Sequence, residues 1–166
     1  MREALDRIDA SGVVVCGEGE KDEVDHLAYD EPFGVAGAPV DLDLAVDPID
    51  GTTRLGMGLG GAISVLAVAP RGTMFDPGPA FYMEKLVAGP EAEGRLDPEA
   101  GTAERLRALA DALGKPIGEV TVFVLDKPRH VALAAEIREA GARAAVYPAG
   151  DVEGVLRAVT PGSGID

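Results

Sequence analysis

The sequence has no tryptophan, no asparagine and no glutamine, and it has one cysteine, Cys16, among its 166 residues. A lone cysteine excludes an intrachain disulfide framework and a CxxC metal site. Aromatic residues make up only 4% of the chain, so we expect an aliphatic, alanine-rich core. Side-chain amides are thermolabile and are depleted in heat-adapted proteins, so their absence favours the hypothesis of a thermophilic source.

Positive charge is also scarce. The chain has 15 lysines and arginines against 29 acidic residues, which gives a formal net charge of −14. Binding to nucleic acid or to an anionic membrane needs a basic face, so this balance argues against both kinds of partner. The chain has no apolar run near the roughly 20 residues of a membrane span, and its first residues lack the apolar core of a signal peptide. The sequence therefore favours a cytoplasmic protein.

The order of the hydrophobic patterns predicts an α/β fold. In the first part, a short helix is predicted at 1–9 and strands at 13–16, 40–46, 63–69 and 81–88, consistent with a mixed sheet. The later part alternates predicted helices at 102–113, 131–140 and 151–159 with strands at 120–125 and 144–147. This later βαβα order implies parallel strands joined by crossover helices. We expect two partial domains, 1–114 and 115–166.

The strongest chemical signal is the hexapeptide Asp-Pro-Ile-Asp-Gly-Thr at 47–52. Pro48 is expected to end the preceding strand, so that the turn aims Asp47 and Asp50 into one space. Two carboxylates about 4 Å apart repel by roughly 4 kcal/mol at an effective dielectric constant near 20, and a divalent cation relieves this. Hard carboxylate oxygens suit Mg²⁺ or Mn²⁺, and Gly51 and Thr52 offer N–H groups and a hydroxyl to a phosphate. The alternative is an ordinary strand-ending turn.

A second acidic motif, Gly-Glu-Gly-Glu at 17–20, follows the predicted strand at 13–16. Glycines on both sides of Glu18 let the backbone bend and bring this carboxylate close to a ligand. Taken alone, such a motif is more often a solvated acidic turn. Together with the two aspartates, Glu18 becomes a third candidate metal ligand.

With these two acidic motifs, the sequence resembles a known family, the class II (GlpX-type) fructose-1,6-bisphosphatases of the lithium-sensitive, metal-dependent phosphatase superfamily. The motifs at 17–23 and 46–52 are similar to motifs of the superfamily. The segments 81–90, 127–130 and 150–152 resemble substrate-contact segments of the class II sugar bisphosphatases. The resemblance implies a layered sugar-phosphatase fold of the α-β-α-β-α type.

The resemblance also implies roles for individual residues. The metal, Mg²⁺ or Mn²⁺, would be held by Glu18, Asp47, Asp50 and the carbonyl of Ile49. Catalysis would involve Glu18, Asp47 and Thr52, with Thr52 orienting the attacking water. The phosphate being cleaved would be bound by Asp50, Gly51 and Thr52. The distant phosphate and the sugar would be bound by Tyr82, Lys127, Pro128 and Arg129. The sugar hydroxyls would be bound by Gly150 and Asp151.

The activity that the resemblance implies is hydrolysis of the C1 phosphate of fructose 1,6-bisphosphate to fructose 6-phosphate, a gluconeogenic reaction, by a homo-oligomer. Family members are about twice as long and carry further metal ligands in segments that would precede Met1 and follow Asp166, so we expect a truncated chain of low activity. The family usually has Glu where Asp50 stands, which predicts shifted metal geometry. Alternatives are a phosphatase for inositol phosphate or sedoheptulose bisphosphate, or a non-catalytic homologue that binds metal or phosphate or serves as an assembly partner.

Overall fold

A computed structural model describes residues 1–17, 27–78, 80 and 82–166. These residues form two compact units, the first made of 1–49 and 63–83 and the second of 50–62 and 84–166. Both units combine helices with β-sheet, so the predicted α/β class is confirmed. The domain boundary expected near residue 114 stays a prediction.

The first unit is built on a four-stranded sheet. Its elements are α1 (Arg2–Leu5), β1 (Ser11–Cys16), β2 (Pro32–Gly34), β3 (Asp41–Asp50, whose last residue belongs to the second unit) and β4 (Ile63–Pro70). The strand order is β2-β1-β3-β4. Strand β1 runs antiparallel to β2 and parallel to β3, so the mixed sheet expected for the first part is present.

The core of the first unit lies against the central strands of this sheet. Val14 of β1 and Leu44 of β3 have no exposed surface. The cluster around them is aliphatic except for one ring: Leu5, Val14, Leu27, Phe33, Leu44 and Val46. Gly12 lets the chains approach closely, because a Cβ there would lie 2.1 Å from the carbonyl oxygen of Leu42. The scarcity of aromatic residues is therefore met by close aliphatic packing.

The second unit contains a two-stranded parallel sheet and most of the helices. Its elements are α2 (Thr52–Gly56), α3 (Thr102–Leu113), β5 (Thr121–Leu125), α4 (Val131–Glu139), β6 (Arg143–Tyr147) and α5 (Asp151–Ala158), with short 3₁₀ turns at Pro90–Ala92, Ile117–Glu119 and Pro128–His130. Strands β5 and β6 pair in parallel from Thr121 opposite Arg143 to Leu125 opposite Tyr147. The βαβα order read from the sequence is confirmed.

The core of the second unit follows the predicted helical spacing. Leu106, Leu109 and Ala110 of α3 are buried, and they pack in one cluster with Val120 and Ile137. Helix α3 ends at Gly114, whose φ of 64° is the left-handed conformation that favours glycine at this position. None of the helices in the described ranges has the length and apolar character needed to cross a membrane.

Three expectations about local structure were wrong. Pro48 does not end its strand, since β3 continues to Asp50; the pairing with β1 reaches only Ala45, and a proline is tolerated where one neighbouring strand has ended. Residues 82–88 form no strand; Tyr82 is 66% exposed and Met83 52%, and strand propensity depends on packing against a sheet. The first helix, predicted over 1–9, ends at Leu5, because a predicted helix of this length is marginal in water without tertiary support.

Candidate active site

The hexapeptide at 47–52 forms a sharp strand-to-helix turn. Strand β3 ends at Asp50, and α2 begins at Thr52. Gly51 joins them with a φ of 88°, a backbone conformation that residues with a Cβ rarely adopt. Gly51 is buried and Thr52 is exposed, so the turn presents the Thr52 hydroxyl at the surface of the second unit. The phosphate-binding role of this turn stays a prediction.

Asp47 and Ile49 belong to the first unit. The Oδ1 atom of Asp47 accepts the N–H of Ile49 at 3.0 Å. This bond ties the carboxylate to the backbone of its own strand two residues further along the chain. Ile49 is 42% exposed.

Asp50 is the buried carboxylate residue of the motif. The residue is only 3% exposed, and its Oδ2 atom accepts the backbone N–H of Glu153 at 2.9 Å. That N–H lies in the first turn of α5, whose N-cap residue, Gly150, has no side chain to bind it. Burial raises the pKa of the Asp50 carboxyl, the N–H of Glu153 lowers it, and the neighbouring carboxylate of Asp151 raises it again.

The two sugar-binding candidates in the segment 150–152 lie at the start of α5. Gly150 has a φ of 95° and forms the N-cap, and Asp151 is the first helical residue. The Oδ2 atom of Asp151 accepts a hydrogen bond from Nζ of Lys85 at 2.8 Å, and both side chains are about half exposed. The structure therefore brings Asp50, Gly150 and Asp151 together within the second unit.

Lys127, Pro128 and Arg129 follow the end of β5. Strands β5 and β6 are parallel, and the N–H of Asp126 still donates to the carbonyl of Tyr147 at 2.6 Å. The chain therefore leaves both strands at the same edge, towards Lys127–Arg129 from β5 and towards Gly150 from β6. Ligands of α/β proteins bind outside the carboxyl ends of parallel strands. Pro128 and Arg129 are exposed there, and Lys127 is half-buried.

The two remaining candidates are Tyr82 and Glu18. Tyr82 belongs to the first unit and is 66% exposed. Glu18, the expected third metal carboxylate, lies outside the described residues.

The whole chain, residues 1–166, matches the family model described as bacterial fructose-1,6-bisphosphatase, glpX-encoded. The chain belongs to this family. Its sequence is 43% identical over 166 residues to fructose-1,6-bisphosphatase 1 class 2 of Escherichia coli strain K12, and equally to the class 2 enzymes of E. coli O6:H1 and Shigella flexneri. Each alignment covers 100% of this chain and 49% of the relative. The chain thus spans about half the length of the curated relatives that it matches.

Membership of this fructose-1,6-bisphosphatase family raises the question of whether the described residues fit a divalent metal. The donor chemistry fits, since Asp47 and Asp50 offer the hard carboxylate oxygens that Mg²⁺ and Mn²⁺ prefer. Among residues 1–17, 27–78, 80 and 82–166, no group of three or more His, Cys, Asp or Glu side chains is arranged to hold a metal. The assignment of Asp47 and Asp50 as metal ligands, together with Glu18 outside the described residues, therefore stays a prediction.

Sequence reasoning missed two charged residues in the second unit. Arg54, two residues after Thr52, is buried, and its Nη1 atom lies 2.9 Å from Oε2 of Glu153. Their positions are 99 residues apart in the chain, so no local pattern links them. The sequence signal was an arginine two residues after a predicted phosphate-binding motif, which would have suggested a phosphate ligand rather than a partly buried ion pair.

Proposed function

We propose that this chain is the metal- and phosphate-binding part of a class II fructose-1,6-bisphosphatase, which hydrolyses the C1 phosphate of fructose 1,6-bisphosphate to fructose 6-phosphate and inorganic phosphate. The observation that carries the proposal is the convergence of Asp50, Gly150 and Asp151 in one compact unit, since these residues come from two of the motifs that resemble the family. Membership of the family supports the same reaction.

In this proposal, Asp47, Asp50 and Glu18 hold the cation, with the Ile49 carbonyl as a further oxygen. A bound Mg²⁺ or Mn²⁺ would neutralise phosphate charge and stabilise the leaving alkoxide. The N–H groups of the turn at Gly51 and Thr52 bind the phosphate that is cleaved. The Thr52 hydroxyl, exposed at the start of α2, orients the attacking water.

The remainder of the substrate would be bound at the carboxyl edge of β5 and β6. Lys127 and Arg129 supply positive charge for the distant phosphate, and Pro128 fixes the backbone between them. Asp151 accepts hydrogen bonds from sugar hydroxyls, and Tyr82 contacts the distant phosphate. These local cations are needed because the chain as a whole carries a net charge of −14 and repels an anionic substrate.

The proposal also includes a gluconeogenic role, a cytoplasmic location and a homo-oligomeric assembly, which family resemblance and the lone cysteine support. Its competitor is a homologue that binds metal or phosphate without turnover, since the described residues contain no group of three or more His, Cys, Asp or Glu side chains arranged to hold a metal.

The decisive experiment compares ligands that differ by one phosphate. In the presence of Mn²⁺, calorimetric titration of Arg129→Ala with fructose 1,6-bisphosphate should show binding at least tenfold weaker than wild type, because hydrogen bonds to charged groups contribute about 1.5–3 kcal/mol. Binding of inorganic phosphate should change less than twofold. The matched control is Arg138→Ala, an exposed arginine of α4, which should alter neither titration.

Phosphate release then separates the reactions. Fructose 1,6-bisphosphate should be hydrolysed faster than sedoheptulose bisphosphate or inositol 1-phosphate. Preference for inositol 1-phosphate would overturn the substrate assignment. Metal-dependent binding of fructose 1,6-bisphosphate without phosphate release would favour the non-catalytic homologue.

A further inference from the structure

Arg54 is a buried arginine beside the proposed phosphate-binding turn. Its residue surface is 7% exposed. The Nη1 atom bonds to Oε2 of Glu153 at 2.9 Å, and the Nε atom donates to the carbonyl of Gly60 at 2.9 Å. The guanidinium carbon lies 5.2 Å from the centre of the Tyr147 ring, within the range of a cation–π contact. The guanidinium is thus held from three sides within the second unit.

Three glycines with positive φ surround this side chain. A Cβ on Gly51 would lie 3.6 Å from Cδ of Arg54, and one on Gly150 would lie 3.2 Å from Nη1. A Cβ on Gly61 would lie 2.1 Å from Nη2, which is an impossible approach. The backbone of the turn, the backbone after α2 and the N-cap of α5 are therefore all packed against one arginine.

Glu153 connects the same pieces a second time. Its backbone N–H donates to Oδ2 of Asp50, while its carboxylate binds Arg54. One residue of α5 thus holds both ends of the segment 50–54, the first through a metal-ligand candidate and the second through the arginine. Displacing the Glu153 side chain would therefore loosen Asp50 as well.

Stability alone does not account for this ion pair. The Coulomb gain of a buried pair roughly offsets the cost of removing both charges from water, and apolar replacements of both partners are often neutral or stabilising. The charge of Arg54 is also matched by Glu153, so the arginine is not a cation available to the substrate. What the pair does provide is a fixed distance between the turn and α5.

We propose that Arg54 and Glu153 are positioning residues, which hold the Asp50 carboxylate and the Gly51–Thr52 turn in register with Gly150 and Asp151. This inference rests on the proposed function of that turn. Displacement of a reacting group by about 1 Å can cost about 10²-fold in rate. Loss of the pair should therefore weaken ligand binding at the turn even when the fold is intact.

The test separates position from stability with a double variant. Arg54→Met alone leaves Glu153, whose side chain is 14% exposed, with only the longer pair to Arg157 at 3.7 Å, and should lower both the free energy of unfolding and the Mn²⁺ affinity. Arg54→Met combined with Glu153→Leu removes both charges, and we expect its unfolding midpoint to return towards wild type. Its Mn²⁺ affinity, measured by calorimetry, should stay at least tenfold weaker. Recovery of wild-type Mn²⁺ affinity together with stability would overturn the proposal.

A second readout does not depend on metal. Hydrogen exchange of the Glu153 amide reports its bond to Asp50, and this amide is present in every variant. Exchange in the double variant should be at least tenfold faster than in wild type, after correction for global stability. Unchanged protection would overturn the positioning role. If wild type binds no Mn²⁺, the proposed function fails, and the exchange result alone decides whether the pair positions Asp50.

Two further variants complete the design. Arg157→Met is the matched control: Arg157 also lies 5.2 Å from the Tyr147 ring and also pairs with Glu153, at 3.7 Å, but its hydrogen bonds go to Tyr147 and Ser163 instead of Gly60. It should leave the Mn²⁺ affinity and the Glu153 exchange rate within twofold of wild type. If the double variant does not fold, Arg54→Lys decides, because a lysine ammonium cannot reproduce the fork that reaches both Gly60 and Glu153. Wild-type values of both readouts in Arg54→Lys would then overturn the proposal.

Discussion

Strand β3 carries two buried aspartates, Asp43 in the first unit and Asp50 at the start of the second, and their surroundings differ. Asp43 is 1% exposed, and its two oxygens accept the N–H of Met74 at 3.0 Å and the guanidinium of Arg71 at 2.6 Å. The hydrogen bond from the Met74 N–H is the main cause that holds the pKa of the Asp43 carboxyl below its usual range, and the guanidinium of Arg71 lowers this pKa further.

Among the described residues, no cation is one of the groups that shift the pKa of Asp50, and the buried guanidinium of Arg54 pairs with Glu153 instead. Burial raises the pKa of its carboxyl, and the carboxylate of Asp151 adds to this effect, against the N–H bond from Glu153. Two aspartates with almost equal burial on one strand therefore serve different ends. The carboxylate of Asp43 is matched by Arg71 within the first unit, whereas burial and the neighbouring Asp151 disfavour the charged form of Asp50, which a bound cation would favour.

The largest expected difference between the two aspartates is in metal affinity. Asp50→Asn removes a negative oxygen from the proposed ligand set, so Mn²⁺ binding should weaken by at least tenfold, about 1.4 kcal/mol. Asp47→Asn should weaken it by a similar factor. Asp43→Asn, in which the lost charge is bound to Arg71, should change it by less than twofold. Calorimetric titration with Mn²⁺ measures all three, and equal losses in the Asp43 and Asp50 variants would break the comparison.

The loss of folding stability should rank Asp43→Asn and Asp50→Asn in the opposite order from the loss of metal affinity. Asp43→Asn leaves Arg71 without its partner and should lower the midpoint of chemical unfolding clearly. Asp50→Asn keeps an oxygen that can accept the Glu153 N–H and relieves repulsion with Asp151, so its midpoint should stay within the usual range of about ±0.5 kcal/mol for neutral substitutions. The control is Asp41→Asn, an exposed position on the same strand. A larger loss for Asp50→Asn than for Asp43→Asn would contradict the account.

The stabilisation by Asp43 should depend on pH in a defined direction. A carboxyl whose pKa is lowered by folding stabilises the folded state fully above its unfolded pKa, about 3.9. As the pH falls through the lower folded pKa, this contribution is lost. The difference in unfolding free energy between wild type and Asp43→Asn should therefore be constant from about pH 7 to pH 5 and shrink below about pH 4. A difference that grows on acidification would show that the pKa shift has the opposite sign.

The smallest effect is expected at Lys85, which partly compensates Asp151. Both side chains of this pair are about half exposed, at 50% and 48%. Exposed ion pairs contribute about 0.2–1 kcal/mol, and salt screens them. Lys85→Met should therefore lower the free energy of unfolding by less than about 1 kcal/mol, and the loss should disappear in 1 M salt. A salt-independent loss of several kcal/mol would place Lys85 in the structural core of the unit.

The sequence predicted those parts of the fold that rest on local periodicity. The buried face of α3 was predicted from the spacing of Leu106, Leu109 and Ala110. The end of this helix was predicted from Gly114. The strand predicted at 81–88 shows the limit of this reasoning, because apolar residues form a strand only where a neighbouring strand is available to pair with them. Pro48 showed the same limit, since its effect depends on how far the pairing of β1 extends.

The candidate site divides in a similar way. Asp47, Asp50 and Gly51 could be found from one contiguous motif. The bond between Asp50 and the N–H of Glu153, and the ion pair between Glu153 and Arg54, join residues about 100 positions apart and leave no local pattern in the sequence. A buried charge pair is set by tertiary geometry, which a single sequence does not display.

The central claim is that a divalent cation binds at the uncompensated carboxylate of Asp50 rather than at the compensated carboxylate of Asp43. Paramagnetic broadening of amide resonances tests it in one titration. On addition of substoichiometric Mn²⁺, the amide signals of Gly51, Thr52 and Asp151 should disappear first, while the signal of Met74, bonded to Asp43, persists. Broadening that begins at Met74, or that leaves Gly51 and Asp151 unaffected, would contradict the claim.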